Sequence, residues 1–380
     1  MKSLVFAFIL ATLLMPAQAA RKLSSSAVFS ILTCSPGDEL YSVFGHSAIR
    51  LHDAAAVVDS VYNYGTFDFD TPGFYGKFAQ GRLNYMLSRQ YFPIFQHEYL
   101  LTNRWVKEQR LVLDSLDAQR LYDLLEENYR PDNRFYRYDF FYDNCATRIR
   151  DMLRVALGDR LTFGLPEKSG RSFRDQVETY TAGMPWSAFG IYLALGWPYE
   201  KEMEAGYIMF LPDGVLEAFS GAQVDGRALA PVTEDLLLRE EPETDGVLPV
   251  VWITGAIYLL LAIVVLLLRP AFSGLAKPLI HGVAVLTGIL GVLLALLWFA
   301  TDHQATRFNQ DLLWLSPLNL LLLPFPRFRN RYFAIAAGAC ALALLLTFAG
   351  VFPMYCLPWQ AATALFLWMA SSPAEKKTGE

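Results

Sequence analysis

From Ala27 to Thr33 the chain reads AVFSILT, an apolar run that stops at the turn-forming Ser35-Pro36-Gly37-Asp38. This predicts a strand followed by a turn. Val43–Leu51 alternates apolar and other residues around Gly45-His46, and Val57–Phe69 is rich in Val, Tyr and Phe. Both read as strands, the second as a strand or hairpin arm. Phe74–Gly81 reads as a short helix and residues 104–113 (RWVKEQRLVL) as a further strand. The spacing then changes. Leu116, Leu121, Leu124 and Leu125 recur with helical period between Ser115 and Pro131, predicting a helix over 116–128. Ile149, Leu153 and Val155 mark a second helix over 144–157, with Asp143 placed to cap it. Strands followed by helices predict an α+β domain.

Beyond residue 246 the pattern becomes almost wholly apolar. Leu248–Leu268 and Pro278–Ala300 carry no charge, and each is long enough to cross about 30 Å of hydrocarbon. Three weaker segments come next: Leu312–Phe325, short and broken by Pro317 and Pro324; Tyr332–Gly350; and Cys356–Ala370. Residues 248–370 hold only eight charged side chains: Arg269, Lys277, Asp302, Arg307, Asp311, Arg327, Arg329 and Arg331. With the front of the chain outside the cytoplasm, the 269–277 loop, the 326–331 loop and the tail with Lys376 and Lys377 fall inside. Arg307, in the outer loop 301–311, is the one exception to the positive-inside rule. Five spans fit best, the third open to a re-entrant reading.

The start of the chain supports this orientation. Lys2, the apolar Leu4–Leu14 and Ala17-Gln18-Ala19 read as a secretory signal over residues 1–19. The expected organisation is then an extracytoplasmic domain over 20–230, an acidic linker over 231–246, a helical membrane domain over 247–370 and a cytoplasmic tail over 371–380. Net charge of −5 and a mean hydropathy of +0.27 argue against a disordered chain and a nucleic-acid binder. Residues 62–142 hold 21 aromatic side chains. Most are expected in the core, with some left for the bilayer or an acyl chain.

Four cysteines are present: Cys34, Cys145, Cys340 and Cys356. The last two fall in predicted spans and read as small apolar fillers. Cys34 and Cys145 lie outside the membrane, where a structural disulfide and a reactive thiol are both open readings. The surroundings of Cys145 favour reactivity. In Tyr-Asp-Asn-Cys-Ala-Thr-Arg (142–148) it occupies a helix's first turn, where free N–H groups stabilise a thiolate. Arg148, three residues on, shares its face and offers charge for a thiolate, an oxyanion or a lipid phosphate. A nucleophile also needs a base. His46, between small Gly45 and Ser47, is the best of five histidines, although a buried structural histidine is the plainer reading. His52, beside Asp53 near a turn, reads as a surface residue.

The order of a histidine on a strand, then Asn-Cys opening a helix about 100 residues later, resembles the circularly permuted NlpC/P60 (papain-like) hydrolases and the lecithin:retinol acyltransferase relatives. The whole chain more closely resembles the Bacteroidota lipoprotein N-acyltransferase family, Lnb. The shared segments are Cys-Ser-Pro-Gly (34–37), Phe-Gly-His-Ser-Ala-Ile-Arg (44–50), Tyr-Asn-Tyr-Gly-Thr-Phe (62–67) and Asp-Asn-Cys-Ala-Thr-Arg (143–148). A looser match extends to His303 and residues 309–314. The resemblance implies Cys145 as nucleophile and His46 as general base. Asn63 is the first candidate for the group that orients the imidazole, ahead of Asp59. Arg148, Arg50 and Tyr64, within the shared segments, are candidate substrate-binding residues. The implied donor is a glycerophospholipid and the implied acceptor a diacylated lipoprotein at the membrane. No nucleic acid, cofactor or metal is expected. A cell-wall cysteine peptidase or amidase remains an alternative, as does a non-enzymatic assembly factor held by a Cys34–Cys145 disulfide.

Overall fold

The computed structural model describes residues 21–239 and 250–371. The signal over 1–19, most of the acidic linker and nearly all of the tail lie outside the described residues.

The periplasm-facing half is built on one antiparallel sheet. Its strands are β1 (Ala27–Cys34), β2 (His46–Asp53), β3 (Val58–Thr66), β4 (Asn84–Tyr91), β5 (Val106–Arg110), β6 (Phe135–Arg137) and β7 (Thr233–Leu237). They lie in the order β7-β5-β1-β2-β3-β4-β6. β1 is buried on both faces over Phe29–Cys34, which is why its sequence is a continuous apolar run rather than an alternation. The helices of this half are α1 (Phe74–Ala79), α2 (Phe92–Leu101), α3 (Ser115–Tyr129), α4 (Cys145–Leu157), α5 (Phe173–Thr181), α6 (Pro185–Ala194) and α7 (Pro212–Ser220). Phe29, Ile31, Ile49 and Leu51 form a core with α3, α4 and α7 on one face. Leu32, Cys34, Ala48 and Val61 pack with Phe92, Phe95 and Tyr99 of α2 on the other.

α3 forms where its leucine spacing predicts. Asp114 caps it by accepting from the N–H groups of Leu116 and Asp117 at 2.9 and 2.8 Å. It stops before Pro131, whose ring disfavours helix at the preceding residue. Residues 233–237 are not linker. They form the edge strand β7 on β5, where Arg110–Glu234 at 3.0 Å turns an acidic stretch into cross-strand pairing.

One end of the sheet draws several strand termini together. Cys34 lies opposite both His46 and Val106, Leu237 opposite Val106, and Asn84 opposite Arg137. The end of β1 and the starts of β2, β4 and β5 are therefore together, with the ends of β3, β6 and β7. From this end the chain leaves through α1, which rests on the membrane half. The N–H of Asp302 donates to Gln80 O at 2.9 Å, and Arg82 Nε donates to Asp302 at 3.1 Å. β7 ends at the same end, with Leu237 opposite Val106. This end of the sheet thus faces the bilayer.

The membrane half contains α8 (Val250–Leu268), α9 (Ser273–Phe299), α10 (Pro326–Phe348) and α11 (Leu357–Ser371). Three of these, α8, α9 and α10, are long and apolar enough to cross a membrane. α11, of 15 residues, reaches only about 22 Å at 1.5 Å per residue. The expected third span departs most from expectation. Leu312–Phe325 contains a single helical turn at Leu318–Leu321 and is otherwise irregular, as Pro317 and Pro324 require. It still runs beside its neighbours in the direction of a third crossing. A Cβ on Gly291 would lie 2.3 Å from Leu315 O, and one on Gly288 would lie 2.4 Å from Leu320 N, so only glycine admits the segment there. Its broken backbone is protected by buried Asn319, which donates to Thr287 at 3.0 Å and accepts from Tyr332 at 2.6 Å.

A second seam joins the halves. Asn309 Nδ2 donates to Leu193 O at 2.7 Å, and Tyr355 donates to Glu178 at 2.7 Å. Buried Arg174 pairs with Glu200 at 2.6 Å.

Candidate active site

Cys145 owes its position to the residue before it. Asn144, not Asp143, caps α4. Its Oδ1 accepts from the N–H groups of Ala146 and Thr147 at 2.8 and 2.9 Å, while Thr147 Oγ1 accepts from the Asn144 N–H at 2.7 Å. This is a reciprocal capping box. Asn144 Nδ2 also donates to Phe140 O at 2.6 Å and Phe210 O at 2.8 Å. The cap is buried and saturated, so the helix tip is fixed, and Cys145 is its first residue. Below it is Gly65 of β3, at φ 84°, where the β3–β4 register shifts. A Cβ there would be 3.5 Å from Cys145 Cβ. Glycine meets both demands, the left-handed backbone and the close helix tip.

The sulfur reaches the histidine strand. Burial raises the Cys145 thiol pKa, and the backbone N–H groups of Ser47, Ala146 and Cys145 itself pull the other way. The helix tip therefore acts in the direction the sequence suggests, but burial wins and the resting group is a thiol. Ser47 adjoins His46, so the strand start and the helix tip meet through that amide.

His46 is the first residue of β2 rather than a mid-strand residue. Its Nε2 lies 3.3 Å from Asn63 Oδ1. Asn63 is itself oriented, because its Nδ2 donates to Gln90 at 3.3 Å. An amide oxygen can only accept, so Nε2 carries the proton and Nδ1 is the basic nitrogen. Burial pushes the imidazole pKa down to about 4; the Asn63 hydrogen bond opposes this and the charge of Arg104 adds to it. At neutral pH the ring is an uncharged base.

The other sequence candidates lie elsewhere. Asp59 does not approach His46; it pairs with Arg50 at 2.8 Å and faces His52 at 3.5 Å. Arg50 is a structural cation rather than a substrate ligand, held by Asp59, by Glu108 at 3.0 Å and by the Phe92 ring 3.4 Å below it. Arg148 is likewise occupied: Asp143 takes Nη2 at 2.7 Å and Nε besides, and its guanidinium lies 4.0 Å from the Tyr136 ring centre. Its charge is not free for a thiolate. Tyr64 is fully buried on the core side and donates to Asn128 at 2.7 Å. Cys34 and Cys145 are both free thiols, which removes the proposed disulfide. Burial pushes the Cys34 thiol up to about 12.

One residue was missed. Arg104, just before β5, donates from Nε to Ser35 O at 2.7 Å and lies 4.6 Å over the Tyr99 ring. Its electrostatic influence reaches Cys145, His46 and Cys34. Nothing in the run Arg-Trp-Val-Lys distinguishes it from any basic residue opening a strand. Among the described residues no group of three His, Cys, Asp or Glu side chains could hold a metal ion.

A family model described as the Lnb N-terminal periplasmic domain matches residues 16–175, and one described as the Lnb transmembrane domain matches residues 242–372. No curated protein and no solved structure matches the chain.

Proposed function

Because the chain belongs to the Lnb family, an inner-membrane protein with a periplasmic domain and a transmembrane domain, we propose that it is a thiol-dependent acyltransferase. In this reading it moves an acyl chain from a glycerophospholipid to the α-amine of the N-terminal diacylglyceryl-cysteine of a lipoprotein. The observation that carries the reading is the position of Cys145: a fixed helix tip beside the amide next to an Asn63-oriented His46, at the bilayer-facing end of the sheet. A histidine on a strand followed by a cysteine opening a helix is also the order of the permuted papain-like hydrolases.

The steps follow from the resting protonation states. Both partners are neutral, so the thiol attacks the ester carbonyl carbon as His46 Nδ1 takes its proton. The backbone N–H groups of Cys145 and Ser47 stabilise the tetrahedral oxyanion. The C–O bond breaks, the alkoxide of the lysophospholipid leaves with the proton from His46, and a thioester remains on Cys145. The lipoprotein amine then attacks that thioester. His46 takes the ammonium proton and returns it to the departing sulfur, leaving an amide and the original thiol. Asn63 keeps the imidazole in one tautomer throughout.

The test is mass spectrometry of the full-length protein incubated with phospholipid alone. An added acyl mass on the peptide containing Cys145, discharged by a diacylated lipopeptide, is expected. An unmodified Cys145 under conditions where the lipopeptide becomes acylated would refute the thioester route.

A further inference from the structure

Resting on that reading, we propose that Arg104, with Arg239 beside it, binds the phosphodiester of the donor phospholipid and so places the ester against Cys145.

The argument starts from a local imbalance of donors. Arg104 holds Ser35 O through Nε, but its buried Nη2 has no acceptor, and among the described residues no carboxylate pairs with it. Arg239 follows β7 and grips the next carbonyl, Pro36 O, at 3.2 Å through Nη1. Among the described residues its buried Nε also lacks an acceptor, and the acidic group beside it is exposed Asp38, at 3.6 Å. Two guanidinium groups thus clasp adjacent carbonyls of one turn and keep spare N–H groups. A buried charged donor left without an acceptor is costly, so such a pair is stabilised by an anion. Arg50 and Arg148, by contrast, each have carboxylate partners, and Arg134 and Arg174, which also keep an unpartnered buried N–H among the described residues, lie outside the turn at 35–38.

The position suits a phospholipid rather than a soluble anion. The turn 35–38 continues β1 past Cys34, which lies opposite His46, so the arginines and the reacting pair share one sheet end. That end is the one from which the chain passes through α1 to its contact with Asp302 of the membrane half. The ligand chemistry is therefore a singly charged phosphodiester at the bilayer surface, and planar guanidinium forks match its oxygens. Arg104 also lowers the pKa of both Cys145 and His46, which places its charge at the reacting groups.

The test uses full-length protein in neutral detergent with two short-chain donors, dioctanoyl phosphatidylglycerol and the phosphate-free dioctanoylglycerol. Acylation of Cys145 is followed by mass spectrometry. In Arg104→Gln, kcat/KM with the phospholipid is expected to fall by about 10- to 100-fold, mainly through KM, as for a lost charged hydrogen bond. The phosphate-free donor should lose much less, only the part that Arg104 contributes through its charge beside Cys145 and His46. Arg104→Lys should restore part of the loss, and Arg239→Gln should show the same selectivity with a smaller effect. Equal losses with both donors, or none, would overturn the proposal. Binding of dihexanoyl phosphatidylglycerol to Cys145→Ala protein, with and without Arg104→Gln, reads the anion site without acyl transfer. Weaker binding in the double variant supports it even if no donor acylates the parent protein, a result that would sink the acyltransferase reading alone; equal binding overturns it.

Discussion

The periplasmic sheet and the membrane bundle both bury polar side chains, to different ends. In the bundle some close a local gap: Asn319 ties a broken segment to Thr287 and Tyr332, and Thr347 donates to Gln360 at 2.7 Å between α10 and α11, while Gln360 Nε2 and Asp311 Oδ2 keep no partner among the described residues. In the sheet domain, charges away from the membrane are matched, with Arg50 between Asp59 and Glu108 and Arg160 on Asp117 and Asp225. The bilayer-facing end of the same sheet breaks that habit. A neutral thiol, a neutral imidazole and two guanidinium groups with idle N–H donors collect there.

Five experiments press on this contrast. The largest effect is expected from Cys145→Ala, which should remove acyl transfer by about 1,000-fold or more while leaving thermal unfolding unchanged, as for loss of a nucleophile. A parallel fall in melting temperature would move Cys145 to the scaffold side. Asn63→Ala should lower kcat by up to about 100-fold through loss of imidazole orientation, with KM held; a KM effect alone would argue against the orienting role. The pH profile gives the same contrast without mutation. The folded pKa of His46 is depressed, so its basic form persists well below neutrality and is lost only as pH falls through about 4. The acid limb of kcat/KM should therefore lie near pH 4, and one near the ordinary histidine value would show a solvated ring. On the scaffold side, Gly291→Leu should destabilise the bundle by about 1–3 kcal/mol, read as a lower melting temperature in detergent. Arg148→Gln should be the mildest for chemistry, with kcat/KM unchanged once the protein is folded.

The parts of the molecule that were legible in its sequence are those with strong local signals. The β1 run, the leucines of α3, the Asn-Cys helix start and the two uncharged spans all form close to where they are expected. Ordered motifs single out Cys145, His46 and Asn63 as candidates, and the His46–Asn63 hydrogen bond is present. The misses have physical causes. Residues 233–237 looked like linker because edge strands carry charge to discourage stray pairing. β4 and α2 gave little signal: β4 lies between β3 and β6 with mostly part-exposed residues, and α2 lacks a polar face. Arg148 and Arg50 looked available because their carboxylate partners, Asp143 for the first and Asp59 and Glu108 for the second, are brought against them by the fold. Arg104 was invisible for the converse reason: its importance is a partner it does not have.

The exit of α1 beside the reacting groups has a kinetic consequence. In the proposed acyl transfer, lipid donor and lipidated acceptor both travel in a two-dimensional film, to which α1 links the sheet end through Asp302. Turnover should then track the mole fraction of donor in the surface rather than its bulk molarity. Adding inert detergent at constant total phospholipid would slow the protein by dilution within the plane alone.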